Sequence, residues 1–145
     1  ESIVCTAMRE EDLRKFIAMP QIMFCTDGSI GGSHPRGAGS FPRLLGRYVR
    51  EQHVIPLTEA IRKATSFPAW RFGLTDRGSI KKGMKADILV FNPRTIIDNA
   101  TPENPTAFST GIIDMLVNGT PELVSGNMTG RRGGRALFKR VRSAR

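Results

Sequence analysis

Only two cysteines, Cys5 and Cys25, and two histidines, His34 and His53, occur among the 145 residues. Two thiols cannot build a disulfide framework, so the composition reads as that of an intracellular, cytoplasmic protein. Two histidines without close metal-binding spacing argue against a self-sufficient zinc site, since a metal hydrolase normally needs three or more protein ligands. No apolar run reaches the roughly 18 residues of a membrane-spanning helix, and no membrane association is expected. The first residues, ESIVCTAM, lack a basic leader followed by a long apolar stretch, so no secretory signal is expected. Acids are few, 13 against 22 basic residues, which gives a net charge of +9. Most of that excess is local, because residues 131–145 hold seven arginines and lysines and no acid. Apart from Phe138 this tail has no aromatic interleaving and no recognised nucleic-acid motif, so it reads as a solvated terminus and nucleic-acid binding is not expected.

What is present suits an ordinary folded domain, with 39% hydrophobic and 24% charged residues. Residues 2–6 (SIVCT) and 21–26 (QIMFCT) read as short buried strands, with Cys5 and Cys25 as core thiols. Between them, Leu13, Phe16 and Ile17 share one face of a helix over 9–19, whose first turn carries Glu10, Glu11 and Asp12 and which Pro20 ends. Strand, helix and strand would make a parallel βαβ unit. A glycine-dense loop follows over 29–41. Pro42 then reads as the first position of a helix with Leu44, Leu45, Tyr48 and Val49 inward. Pro56 starts another, with Leu57, Ala60, Ile61 and Ala64 inward, and Pro68 opens a last short turn closed by Gly73.

Near residue 76 the pattern changes to short apolar runs and turn residues. Residues 86–91 read as a strand, and 112–117 and 120–124 as a hairpin around Asn118-Gly119, a strong two-residue turn signal. The three-proline stretch 92–111 reads as a wrapping connection.

Asp27 stands at the carboxyl end of the run 21–26, where sites form in parallel α/β folds. A carboxylate held there can ligate a metal or move a proton; equally, Asp27 can cap the turn onto Gly28. Position alone leaves both readings open. Downstream, Arg36 has the planar fork that clamps carboxylates, and His34 is a potential ligand or acid–base group, although a lone residue of either type is more often an ordinary loop residue. His53 reads as a helix-end residue. The glycine spacing fits neither a P-loop nor a G-x-G-x-x-G fingerprint.

Three segments, 26–51 (TDGSIGGSHPRGAGSFPRLLGRYVRE), 56–93 and 111–137, resemble the C-terminal part of the N-acyl-D-amino-acid deacylases (D-aminoacylases) of the amidohydrolase superfamily. The G-x-I-x-x-G-x-x-A-D-[IL] segment at 78–88 marks many amidohydrolases; the Asp-Gly pair with H-P-R and F-P-R-x-L-G downstream is specific to the deacylase branch. The resemblance implies an α/β fold: residues 1–76 as the C-terminal part of a (β/α)8 barrel (its last two strands and following helices), 77–137 as part of a small β-sandwich, and 138–145 as a basic tail. It implies that Asp27 is the catalytic aspartate and a metal ligand, that Arg36 holds the substrate α-carboxylate, and that zinc is the cofactor. The implied reaction is hydrolysis of an N-acyl-D-amino acid to a carboxylate and a D-amino acid. Thr26 stands where the family usually has serine before the Asp-Gly pair. The remaining metal ligands would lie on earlier strands that this sequence does not contain. The chain alone is therefore expected to be inactive, and the missing N-terminal part of the enzyme is a natural partner. The alternative is a non-catalytic or partner-binding module derived from such an enzyme.

Overall fold

A computed structural model describes residues 8–29 and 32–138. Helix α1 spans Glu10–Ala18, with the three acids in its first turn and Ile17 buried. Pro20 follows, as expected, and the chain runs on to Asp27. Residues 21–26 form no strand: their extended backbone makes one hydrogen bond to a neighbouring element, from Phe24 N–H to the Lys63 carbonyl at 3.2 Å. A strand exists only through its ladder, and among the described residues nothing lies alongside to pair with this segment. Its expected partner, residues 2–6, lies outside the described residues. Cys25 is exposed rather than a core thiol, whereas Ile22, Met23 and Phe24 just before it are half-buried.

Helix α2 (Arg36–Arg43) begins within the glycine-dense stretch, six residues earlier than the proline signal suggests. Pro42 therefore lies inside the helix, where it has no N–H for the Ala38 carbonyl and its ring crowds the preceding turn. The Ser109 hydroxyl donates to that carbonyl at 3.5 Å. Beyond Pro42 the helix widens to π geometry over Leu44–Glu51, and Gln52 N–H reaches back five residues to the Arg47 carbonyl at 2.9 Å. Leu44, Leu45 and Tyr48 are buried and Val49 packs against them, as their spacing predicts. Helix α3 (Leu57–Ala64) follows Pro56, and α4 (Ser66–Arg71) carries Pro68 in its first turn. Leu57, expected inward, is exposed; Ala60 and Lys63 are fully buried.

The remaining elements form one four-stranded antiparallel meander, β1 (Ile88–Phe91), β2 (Ile112–Val117), β3 (Thr120–Val124) and β4 (Asn127–Met128). Asn118 and Gly119 both take positive φ, 50° and 81°, the type I′ geometry expected of the pair. Ser125-Gly126 repeats it at 49° and 78° and adds β4. The core joins helices and sheet: Ile17, Leu44, Leu45, Tyr48, Ile55 and Ala60 pack with Ile96, and Phe91 and Ile112 lie against them. Close approach at Gly46 makes this possible, since a side chain there would strike the Ile96 carbonyl. The connection over 92–111 is also pinned by charge, with Arg43 Nε and Nη2 at 2.9 and 2.7 Å from Asp98 Oδ2 and Arg50 Nη1 donating to the Ile96 carbonyl at 2.5 Å. Among the described residues no helix is long and apolar enough to cross a membrane.

Candidate active site

Asp27 ends the extended segment in the left-handed region, φ 48°, a conformation that aspartate tolerates better than most residues. The turn is held from both sides. Thr26 Oγ1 accepts from Gly28 N–H at 3.1 Å, so threonine performs the local task that its hydroxyl shares with serine. Gly28 lies directly on the first turn of α2: a Cβ on it would stand 2.5 Å from Gly37 Cα. Only glycine lets the loop end and the helix start meet at that distance.

The approach sets the side chains. Arg36, the first residue of α2, places Nη1 2.9 Å from Asp27 Oδ2. Both side chains are solvent-accessible, at 48% and 77%, so this ion pair contributes only about 0–1 kcal/mol to stability. Its geometry matters more than its energy. Five N–H donors sit on a guanidinium, and one bond to Asp27 leaves others for a ligand. His34 Nδ1 accepts from Arg36 N–H at 3.0 Å, satisfying one of the helix's unpartnered amides. The bond requires Nδ1 to be unprotonated, which puts the proton of neutral imidazole on Nε2. Ser40 Oγ in turn donates to the Arg36 carbonyl at 2.8 Å.

The structure thus brings together Asp27 and Arg36, adds His34 as a backbone acceptor at the helix start, and leaves His53 elsewhere, in a positive-φ turn before α3. Asp27 offers one carboxylate to a metal. Among the described residues no group of three histidine, cysteine, aspartate or glutamate side chains converges, so these residues do not hold a metal ion by themselves.

Lys63 was not singled out by the sequence. It lies three residues beyond Ala60, on the same buried face of α3, and that spacing is the only signal it leaves. Burial pushes its ammonium below the ordinary lysine range, against the pull of Glu59. Burial and the nearby Glu10 carboxylate push the Tyr48 phenol up; its hydroxyl lies 3.4 Å from Glu10 Oε2.

Comparison with known proteins bears on what the pair belongs to. A D-aminoacylase of Alcaligenes xylosoxydans xylosoxydans is 41% identical over 134 residues, 91% of this chain and 28% of that protein. A solved D-aminoacylase structure, described for its binuclear metal centre, superposes with a TM-score of 0.85 at 39% identity, again over 91% of this chain and 28% of the other. The N-acyl-D-glutamate deacylase of Bordetella bronchiseptica, solved with zinc and a phosphonate mimic of the tetrahedral intermediate, matches at a TM-score of 0.75 and 41% identity, over 79% of this chain and 24% of that one. The chain therefore spans about a quarter of the length of these relatives. Its α/β helices and small antiparallel sheet are those of the matching part of D-aminoacylase. The profile described as Amidohydrolase family covers residues 18–121, from the end of α1 into β3 and across the Asp27–Arg36 pair, and the chain belongs to that family.

Proposed function

We propose that this chain supplies the proton-transfer and carboxylate-binding groups of a metal-dependent N-acyl-D-amino-acid deacylase. The observation that carries the reading is the 2.9 Å contact between Asp27 and Arg36. In an N-acyl amino acid, the scissile nitrogen and the carboxylate carbon are both bonded to Cα, and lie only about 2.5 Å apart. A base serving that nitrogen and a cation holding that carboxylate must therefore be close neighbours. Asp27 takes a proton from the attacking water and returns it to the leaving nitrogen. Arg36 binds the α-carboxylate with its remaining donors and fixes the amide's orientation. Zinc, the ion in the deacylase structure, supplies Lewis acidity when bound; its other ligands would come from outside these residues.

On this reading residues 1–76 are the C-terminal part of a (β/α)8 barrel, in which segment 21–26 would find its ladder only beside strands from outside the described residues, and 77–137 belong to a small β-sandwich. The same reading puts the enzyme in a reducing, cytoplasmic setting, in keeping with a sequence that has only two cysteines. The test is Asp27→Asn in the full-length protein, assayed by release of D-methionine from N-acetyl-D-methionine. Turnover should fall about 10²-fold or more, the usual range for loss of a general base, with the melting temperature unchanged. Near-normal turnover would leave Asp27 only its turn-forming role.

One observation favours a second, non-catalytic reading. An apolar cavity of about 680 Å³ opens between α3 and residues 78–91, lined by Leu45, Ile61, Met84 and Ile88 among others. Exposed apolar surface of this kind suits a partner-binding module. Absence of N-acetyl-D-methionine hydrolysis by the metal-loaded wild-type full-length protein would move the weight to it.

A further inference from the structure

We propose that Lys63 is the positioning residue for Asp27; the inference rests on the base role given to Asp27 above. Lys63 is completely buried on α3. Its Nζ donates to the Ile17 carbonyl at 2.5 Å and the Met19 carbonyl at 2.6 Å, and lies 4.9 Å from the centre of the Phe24 ring. Its backbone carbonyl accepts from Phe24 N–H at 3.2 Å. Both ends of one residue therefore grip the chain, on either side of the turn at Pro20 and Gln21. Asp27 stands three residues beyond Phe24, and residues 25–27 make no backbone–backbone hydrogen bond of their own among the described residues, so Phe24 is the last such anchor before the turn that Gly28 seats on α2.

A buried ammonium is a costly way to fill space, because desolvation opposes the charge. Among the described residues Lys63 makes no ion pair with a carboxylate. One acceptor, the Ile17 carbonyl, lies in the last turn of α1, at the negative end of the helix dipole and without a helical partner; the other, the Met19 carbonyl, lies just beyond the helix and also accepts from Ile22 N–H at 3.2 Å. An alkyl side chain of the same length would fill the volume but could not hold two carbonyls and a ring in fixed relation. The charge thus locks α1, Phe24 and α3 into one frame, from which the chain projects Asp27 toward Arg36. Displacement of a reacting group by about 1 Å is enough to cost orders of magnitude in rate.

The experiment uses the full-length protein with Lys63→Met and Lys63→Gln, measured beside Asp27→Asn on N-acetyl-D-methionine, with kcat expressed per folded protein and each melting curve recorded. Folded Lys63→Met should lose about tenfold or more in kcat while KM changes less than about twofold, since Arg36 and the substrate carboxylate are untouched. A purely structural lysine would lower the melting temperature and leave the kcat of the folded fraction as it was; that result overturns the proposal. Should Lys63→Met not fold, Lys63→Gln keeps an amide NH2 on a shorter, uncharged side chain and should still lower kcat, and a wild-type kcat there overturns it equally. Unchanged turnover in Asp27→Asn would instead remove the base role, and with it the positioning role of Lys63.

Discussion

Gly28 and Gly37 meet backbone to backbone, and the contact is asymmetric. A Cβ on Gly28 would stand 2.5 Å from Gly37 Cα, whereas a Cβ on Gly37 would find its nearest atom, Gly28 Cα, at 3.8 Å. Gly28→Ala must therefore push the loop end off α2, and Gly37→Ala need not. Overpacking of this kind costs about 1–3 kcal/mol, and it moves Asp27, the adjacent residue, away from Arg36. Gly37→Ala should be neutral or should stabilise by up to about 1 kcal/mol, the helix preference of alanine over glycine. Melting temperatures and turnover of the two variants should diverge accordingly. Equal effects would show that the glycine contact does not set the site.

Arg36→Lys keeps the charge and removes the planar fork, so a lysine at this position can contact Asp27 or a carboxylate but not pair with both in the same way. In the full-length protein KM should rise by more than the melting temperature falls. The matched substrate is the carboxamide analogue of the N-acyl-D-amino acid. Wild type should discriminate strongly between the two and Arg36→Lys much less. If wild type treats them alike, Arg36 is not the carboxylate clamp.

Much of this architecture was legible because it rests on local chemistry. The I′ turn at Asn118-Gly119 and the apolar face Leu44, Leu45 and Tyr48 follow from residue type and spacing alone. The start of α2 was not legible. Pro42 signals a first turn, yet the preceding Arg36–Phe41 stretch is helical, with the freed Ala38 carbonyl meeting Ser109 from a distant part of the chain. No local rule anticipates that acceptor's partner. Residues 21–26 carry the composition of a buried strand, but a ladder depends on neighbours, and here Lys63 rather than another strand meets them. Lys63 itself was hidden for the same reason. Its burial is decided by carbonyls 44 and 46 residues away. The Asp27–Arg36 pair was named residue by residue, while the closeness that joins them comes from the Gly28–Gly37 contact.

Tyr48 gives the alkaline limb of stability a definite sign. Its pKa is raised from 10.0 by burial first and by the Glu10 carboxylate second. Below pH 10 the phenol is neutral in both folded and unfolded chains, and its full contribution is present. Above pH 10 the unfolded chain ionises first, so the folded state holds more protons and stability falls as pH rises through the folded value. Tyr48→Phe should remove that part of the decline. The check is thermal or urea unfolding from pH 8 to 11. Lys63, whose pKa is lowered by burial, acts with the opposite sign, favouring stability as pH climbs toward 10.5. Parallel curves for wild type and Tyr48→Phe across pH 10 would show that the phenol does not contribute.

The last prediction concerns zinc and this 145-residue chain by itself. Asp27 offers a single carboxylate, and its Oδ2 already faces the Arg36 guanidinium at 2.9 Å. A dication approaching Asp27 therefore meets a positive charge across a contact distance, and among the described residues it finds no set of three converging histidine, cysteine or carboxylate donors. Structural zinc sites reach about 10–16 kcal/mol through a closed ligand set, and one exposed carboxylate falls far short. Binding should be no tighter than roughly micromolar, and the same sample should release no D-methionine from N-acetyl-D-methionine, because nothing then polarises the acyl carbonyl. Arg36→Met, by removing the competing cation, should strengthen zinc binding slightly rather than weaken it. Isothermal titration of both proteins measures the two expectations directly. Tight one-to-one binding together with turnover by the 145-residue chain would show that it carries a complete metal centre and that Asp27 does not depend on ligands from outside it.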